Sequence, residues 1–187
     1  MKILIKITIY SISLFFYCNA MAYDENDYKV VKKTDVYEIR HYPERFVAQA
    51  TYKGGENGFR KLFRYITGSN KSTQEISMTT PVTEEKIDNK MVMQFFLPKG
   101  YTLENAPTPN DPNIIITSIK EGYYAVIQYS GRHTDKRFMK HKKILHQALV
   151  DDGIAMNETP IKASYNSPYT LPIFRRNETM FNIDWKE

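Results

Sequence analysis

Residues Phe59 to Val82 read FRKLFRYITGSNKSTQEISMTTPV, and a change of period within this stretch points to the kind of fold. Phe59, Leu62, Phe63 and Ile66 stand at i, i+3, i+4 and i+7. That spacing lays an apolar stripe along a helix and turns Arg60, Lys61 and Arg64 towards solvent. Gly68 and Asn70 end the helix, since both tolerate left-handed backbone. From Ile76 to Val82 the period is that of a strand. Pro81 lacks a backbone donor and holds Thr80 extended, which places this strand at a sheet edge or a bulge.

Working outward, Val36 to His41 and Phe46 to Tyr52 alternate as two strands around Pro43-Glu44-Arg45, a link of hairpin length. After the helix and the interrupted strand, Glu84 to Asn89 reads as a polar loop. Lys90 to Leu97 is a strand with Met91, Met93 and Phe95 on one face. Pro98 to Pro112 has no period and reads as a crossover between two halves. Ile114 to Ile119 and Tyr123 to Tyr129 suggest a second hairpin, and Asp135 to about Val150 a second helix with Phe138, Leu145, Ala148 and Leu149 inward. Residues 160 to 173 read as irregular, and Thr179 to Trp185 as the closing strand. The expectation is an α+β fold: two similar ββαββ-like halves forming one curved antiparallel sheet or distorted β-barrel, flanked by two α-helices.

Residues 1 to 22 have the pattern of a secretory signal. Lys2 and Lys6 precede an apolar run, Ile7 to Tyr17, and Ala20-Met21-Ala22 is a small-x-small cleavage site. Cleavage before Tyr23 would leave residues 23–187 as one exported domain, periplasmic in a Gram-negative bacterium and otherwise secreted. Cys18 is the only cysteine, so that domain would have no disulfide and no thiolate chemistry. Without Lys2 and Lys6, 24 basic and 21 acidic residues remain. That balance gives little reason to expect nucleic acid, and no basic run long enough to track phosphates occurs.

Enzyme signatures are weak. There is no G-x-S-x-G turn, no H-x-x-x-H pair among His41, His133, His141 and His146, and no glycine-rich phosphate loop. A hydrolase using a carboxylate such as Glu38 or Glu75 ranks behind a binding protein, because no spacing singles either residue out. Apolar stripes and Met78, Met91 and Met93 also serve as ordinary core.

The same central stretch, F-x-x-L-F-x-Y-I-x-G-x-N followed by I-x-M-T-T-P-V, resembles the signature of the SOUL/haem-binding protein family. YEIRHY (37–42), FFLP (95–98), YNSP (165–168) and RRNE (175–178) follow in the family's order. The resemblance implies a distorted barrel with two helices and reversible binding of haem b or a related tetrapyrrole, as a carrier or buffer. The ligand would lie in an apolar cleft beside the first helix, against Phe59, Leu62, Phe63 and Ile66, with Tyr169 and Leu171 opposite. His41, in YEIRHY, stands where some members carry a histidine considered as a haem iron ligand, and histidine is the usual proximal ligand. Relatives place a basic residue early in the first helix and another after Y-x-x-P. This chain has Glu56 and Tyr169-Thr170 there, so Arg60 and Arg64 are the cations left to meet the propionates. Covering several hundred Å² of porphyrin at ~25 cal/mol/Å² yields roughly 10 kcal/mol before ordering costs, enough for binding with no iron–protein bond. The alternative is another amphipathic small molecule in the same cleft.

Overall fold

The computed structural model describes residues 24–53 and 56–186; the expected leader and Gly54-Gly55 lie outside them. Among these residues the chain runs β1 (Asp24–Glu25), β2 (Lys29–Lys33), β3 (Glu38–Tyr42), β4 (Arg45–Tyr52), α1 (Gly58–Ile66), β5 (Thr79–Thr80), β6 (Val82–Ile87) and β7 (Lys90–Phe96). The second part runs β8 (Ile114–Ile119), β9 (Gly122–Tyr129), α2 (Asp135–Asp151), β10 (Ile161–Ser164), a 3₁₀ turn at Pro172–Phe174 and β11 (Asn177–Ile183). The expected class is observed. β3-β4-α1-β6-β7 and β8-β9-α2-β10-β11 are two ββαββ units in one antiparallel sheet ordered β2-β3-β9-β11-β10-β6-β7-β4-β8.

The pairing corrects both expected hairpins. β3 pairs with β2 and β9, whereas β4 pairs with β7 and β8. Each unit has exchanged its first strand: β3 lies against β9 of the second unit, and β8 against β4 of the first. The reason lies in what each strand buries. Ile39 joins the core under α2 with Leu145, Leu149 and Phe181, while Ala48 and Ala50 join the core under α1 with Leu62 and Tyr65. Strands adjacent in sequence serve different helices.

This exchange forces the sheet to curl. β3 and β4 are six strands apart in the order, about 29 Å along a flat sheet at ~4.8 Å per step. The chain from Tyr42 to Arg45 spans at most about 11 Å. The link from Ile119 to Gly122 imposes the same closure on β8 and β9. The inner face so formed carries Tyr42, Tyr124, Val126 and Met180, with the Arg45 guanidinium over the rings of Tyr42 and Tyr124.

Two segments expected to be irregular are strands. Glu84 to Ile87 extends β6, because these residues pair with Lys90 to Met93 of β7, and Asp88 and Asn89, both at positive φ, turn the chain tightly between the two strands. β10 sits between β11 and β6. Its buried Lys162 is tolerated because the ammonium reaches Asp135 at 2.9 Å. Pro81 separates β5, which pairs in parallel with β1, from β6, which is interior to the large sheet rather than at its edge. No helix among the described residues is long and apolar enough to cross a membrane.

Candidate functional site

α1 begins at Asn57, whose side chain accepts from the Arg60 amide at 2.9 Å. It ends before Gly68, which takes φ +99°. Asn70 acts here through its side chain rather than its backbone, donating to the carbonyls of Tyr65 and Gln74. The inward face is Gly58, Leu62, Tyr65 and Ile66, a phase slightly rotated from the expected stripe. Tyr65 was missing from that stripe because it is polar; its hydroxyl is satisfied by the Pro107 carbonyl at 2.8 Å. The helix sits so close to β4 that a Cβ on Gly58 would lie 2.3 Å from the Tyr52 ring.

The rotation divides the four apolar residues. Leu62 and Ile66 are sealed, at 0% and 5% exposure, while Phe59 and Phe63 remain 42% and 46% exposed. Their rings stack at 5.9 Å, and Phe59 also meets the edge of Phe95 at 5.2 Å. They form one wall of a cleft of about 590 Å³. Met78, Val82 and Met93 line its base, and Tyr165 to Tyr169 line the far side. Val82 and Ser164 are paired across β6 and β10, so the cleft straddles the junction of the two units.

The far wall is braced from behind. The Tyr165 hydroxyl donates to Glu178 at 2.7 Å, and the Asn166 side chain accepts from the Arg176 amide at 2.6 Å. Arg175 donates to the carbonyls of Pro168 and Thr170. Glu178 is fully buried, and Arg40 and Arg176 also bond to it. Burial and the Glu178 carboxylate push the Tyr165 hydroxyl far above its ordinary pKa. Arg132, Thr170, Leu171 and Arg175 line a shallower extension of about 430 Å³ that shares His133 and Tyr169 with the cleft.

His133 is the imidazole at this site. Its Nδ1 lies 3.2 Å from the Asn177 Oδ1 and 2.7 Å from the Ser164 Oγ. Burial, and then the neighbouring Lys162 ammonium, hold its pKa below the usual value. Sequence reasoning passed over His133 because its partners Ser164 and Asn177 are 31 and 44 residues away.

Of the residues expected at a site, Phe59, Phe63 and Tyr169 line the cleft and Leu171 lines its extension. Leu62 and Ile66 belong to the core beneath. Arg60 and Arg64 are exposed on α1 and do not line the cleft. His41 lies on β3, opposite Tyr123 in register and against its ring at 4.8 Å, and is absent from the cleft lining. Glu38 is bound by Lys33 and Arg40, and Glu75 bridges to Thr67; neither lines the cleft.

The family profile described as SOUL heme-binding protein matches residues 23–182. Heme-binding protein 2 of Homo sapiens is 28% identical over 156 residues, covering 76% of this chain and 75% of that protein. Its Mus musculus counterpart is 26% identical with the same coverage. Among solved structures, the C-terminal domain of EcmrR superposes with a TM-score of 0.60 at 14% identity, covering 84% of this chain and 98% of the other. A hydrolase from Listeria innocua superposes with a TM-score of 0.59 at 11% identity, covering 80% and 92%. At such identities these two structures bear on the fold alone.

Proposed function

The chain belongs to the SOUL heme-binding protein family, and from that premise we propose that it binds haem b or a related tetrapyrrole reversibly in the cleft between α1 and the Tyr165–Tyr169 segment, as an exported carrier or buffer. The observation that carries this reading is the stacked pair Phe59–Phe63, left exposed over an apolar base on a helix whose other face is sealed. The volume lies within the roughly 300–1,000 Å³ of small-molecule pockets. Phe59, Phe63 and Tyr169 would hold the faces of a flat macrocycle, and Met78, Val82 and Met93 its apolar edge. Arg132 and Arg175, at the extension, take the part of propionate partners in place of Arg60 and Arg64. This places the ligand's charged edge at the mouth, where water still reaches it. In this reading the partner is a small molecule rather than nucleic acid, and the protein acts by binding rather than by catalysis.

Haemin titrated into the protein should give a saturable, shifted Soret band. Phe63→Glu, an exposed position whose change spares the core, should weaken binding at least about tenfold by putting a carboxylate against the macrocycle. Absence of uptake, or equal uptake by the variant, would contradict the reading. A different amphipathic ligand is the second reading, favoured by one observation: the Arg175 guanidinium is already engaged by two carbonyls. Native mass spectrometry of the purified protein would identify such a ligand. Export is tested by fractionating cells that express the full chain, with the protein expected outside the cytoplasm and beginning at Tyr23.

A further inference from the structure

We propose that His133, and not His41, is the side chain that ligates the iron of a haem held in the cleft, with Asn177 as the residue that sets its tautomer. The inference rests on the cleft reading above and assigns a residue to the metal.

His133 lines both the cleft and its extension, whereas His41 lies against Tyr123 on β3 and lines neither. Asn177 then decides which ring nitrogen is free. Its amide donates to the Gly131 carbonyl at 3.0 Å and to the Tyr129 carbonyl at 3.5 Å. Both amide hydrogens are thereby turned away from the imidazole, so Oδ1 is the atom that faces His133 Nδ1 at 3.2 Å. An amide oxygen only accepts, so Nδ1 carries the ring hydrogen and Nε2 keeps the lone pair. A ring N–H donated to a fixed oxygen behind the imidazole is the arrangement that orients histidine ligands to metals. Asn177 is itself buried on β11, so this orientation is held by the sheet. Ser164 Oγ, 2.7 Å from Nδ1 and 3.3 Å from Nε2, shares the Nδ1 hydrogen as a second acceptor. Met78 and Met93, also lining the cleft, are thioethers within the same space.

The test compares full-length wild type, His133→Ala and His41→Ala, each titrated with haemin and separately with metal-free protoporphyrin IX. Optical and electron paramagnetic resonance spectra are the readouts for haemin. Wild type and His41→Ala should share one nitrogen-ligated spectrum. His133→Ala should lose that signature and regain it on addition of free imidazole. The ratio of haemin affinity to porphyrin affinity should fall at least about tenfold in His133→Ala. Asn177→Ala should keep ligation but shift the spectrum, provided circular dichroism reports the native fold. Identical haemin spectra for wild type and His133→Ala overturn the proposal while leaving the cleft reading intact, as does loss of the signature in His41→Ala alone. Failure of wild type to take up either haemin or porphyrin overturns both.

Discussion

Glu178 has no exposure, yet it is a carboxylate surrounded by Arg40, Arg176 and the Tyr165 hydroxyl. A buried charge survives only when it is paired and hydrogen-bonded on all sides. Glu178→Ala leaves the Arg40 guanidinium, itself 2% exposed, with Glu38 as its remaining carboxylate partner and takes the paired oxygen from Tyr165 and Arg176, and should cost about 3 kcal/mol in urea unfolding. Loss of the bond to Tyr165 should also loosen the cleft's far wall. At this scale the sequence was half legible. RRNE shows Glu178 beside two arginines, but its further partner Arg40 lies 138 residues away, a separation no local pattern can bridge. His133 was hidden for the same reason. His41 drew attention because it sits inside a motif, although the fold turns it towards Tyr123.

Elements were legible where a single face is buried. The inward residues of α2, Leu145 and Leu149, follow the helical period, whereas β7, which packs Met93 and Phe95 into the core under α1, buries Gln94, Phe95 and Phe96 in succession because both its faces are covered. α1 was legible as a helix but not in phase. Tyr65 and Gly58 form part of its buried face, and neither registers as apolar in a periodicity count. Gly58→Ala tests that phase. Helix propensity alone favours alanine by roughly 1 kcal/mol, but a Cβ there meets the Tyr52 ring. The clash should win, with a net destabilisation of about 1–3 kcal/mol by thermal or urea unfolding. A stabilised variant would mean that Tyr52 yields easily and that α1 is not pinned there. β10 was missed because IKAS is short and carries a lysine; the Asp135 carboxylate that reaches Lys162 comes from the start of α2.

At the scale of the molecule, two ββαββ units and their class were readable from element order, whereas the strand exchange was not. Hairpin-length links say nothing about partners, and only the separate cores under α1 and α2 decide that β3 and β8 cross over. The rolled sheet buries Tyr42 on its inner face and Tyr65 beneath α1, and burial pushes both up to about 12. An unfolded tyrosine titrates near ~10. Between these values the unfolded chain releases protons that the folded chain retains. Stability that is fully present below about pH 10 is therefore lost as pH rises towards about 12. The thermal midpoint should hold level up to about pH 9 and fall beyond pH 10.

Paramagnetic line broadening tests the central claim, that the working surface is the cleft over Phe59 and Phe63. With haemin added to isotopically labelled protein, amide signals of residues 58–63, 78–82 and 164–169 should broaden first. Those of β3 around His41 should persist. Broadening centred instead on His41 and Tyr123, with the α1 signals sharp, would contradict the account.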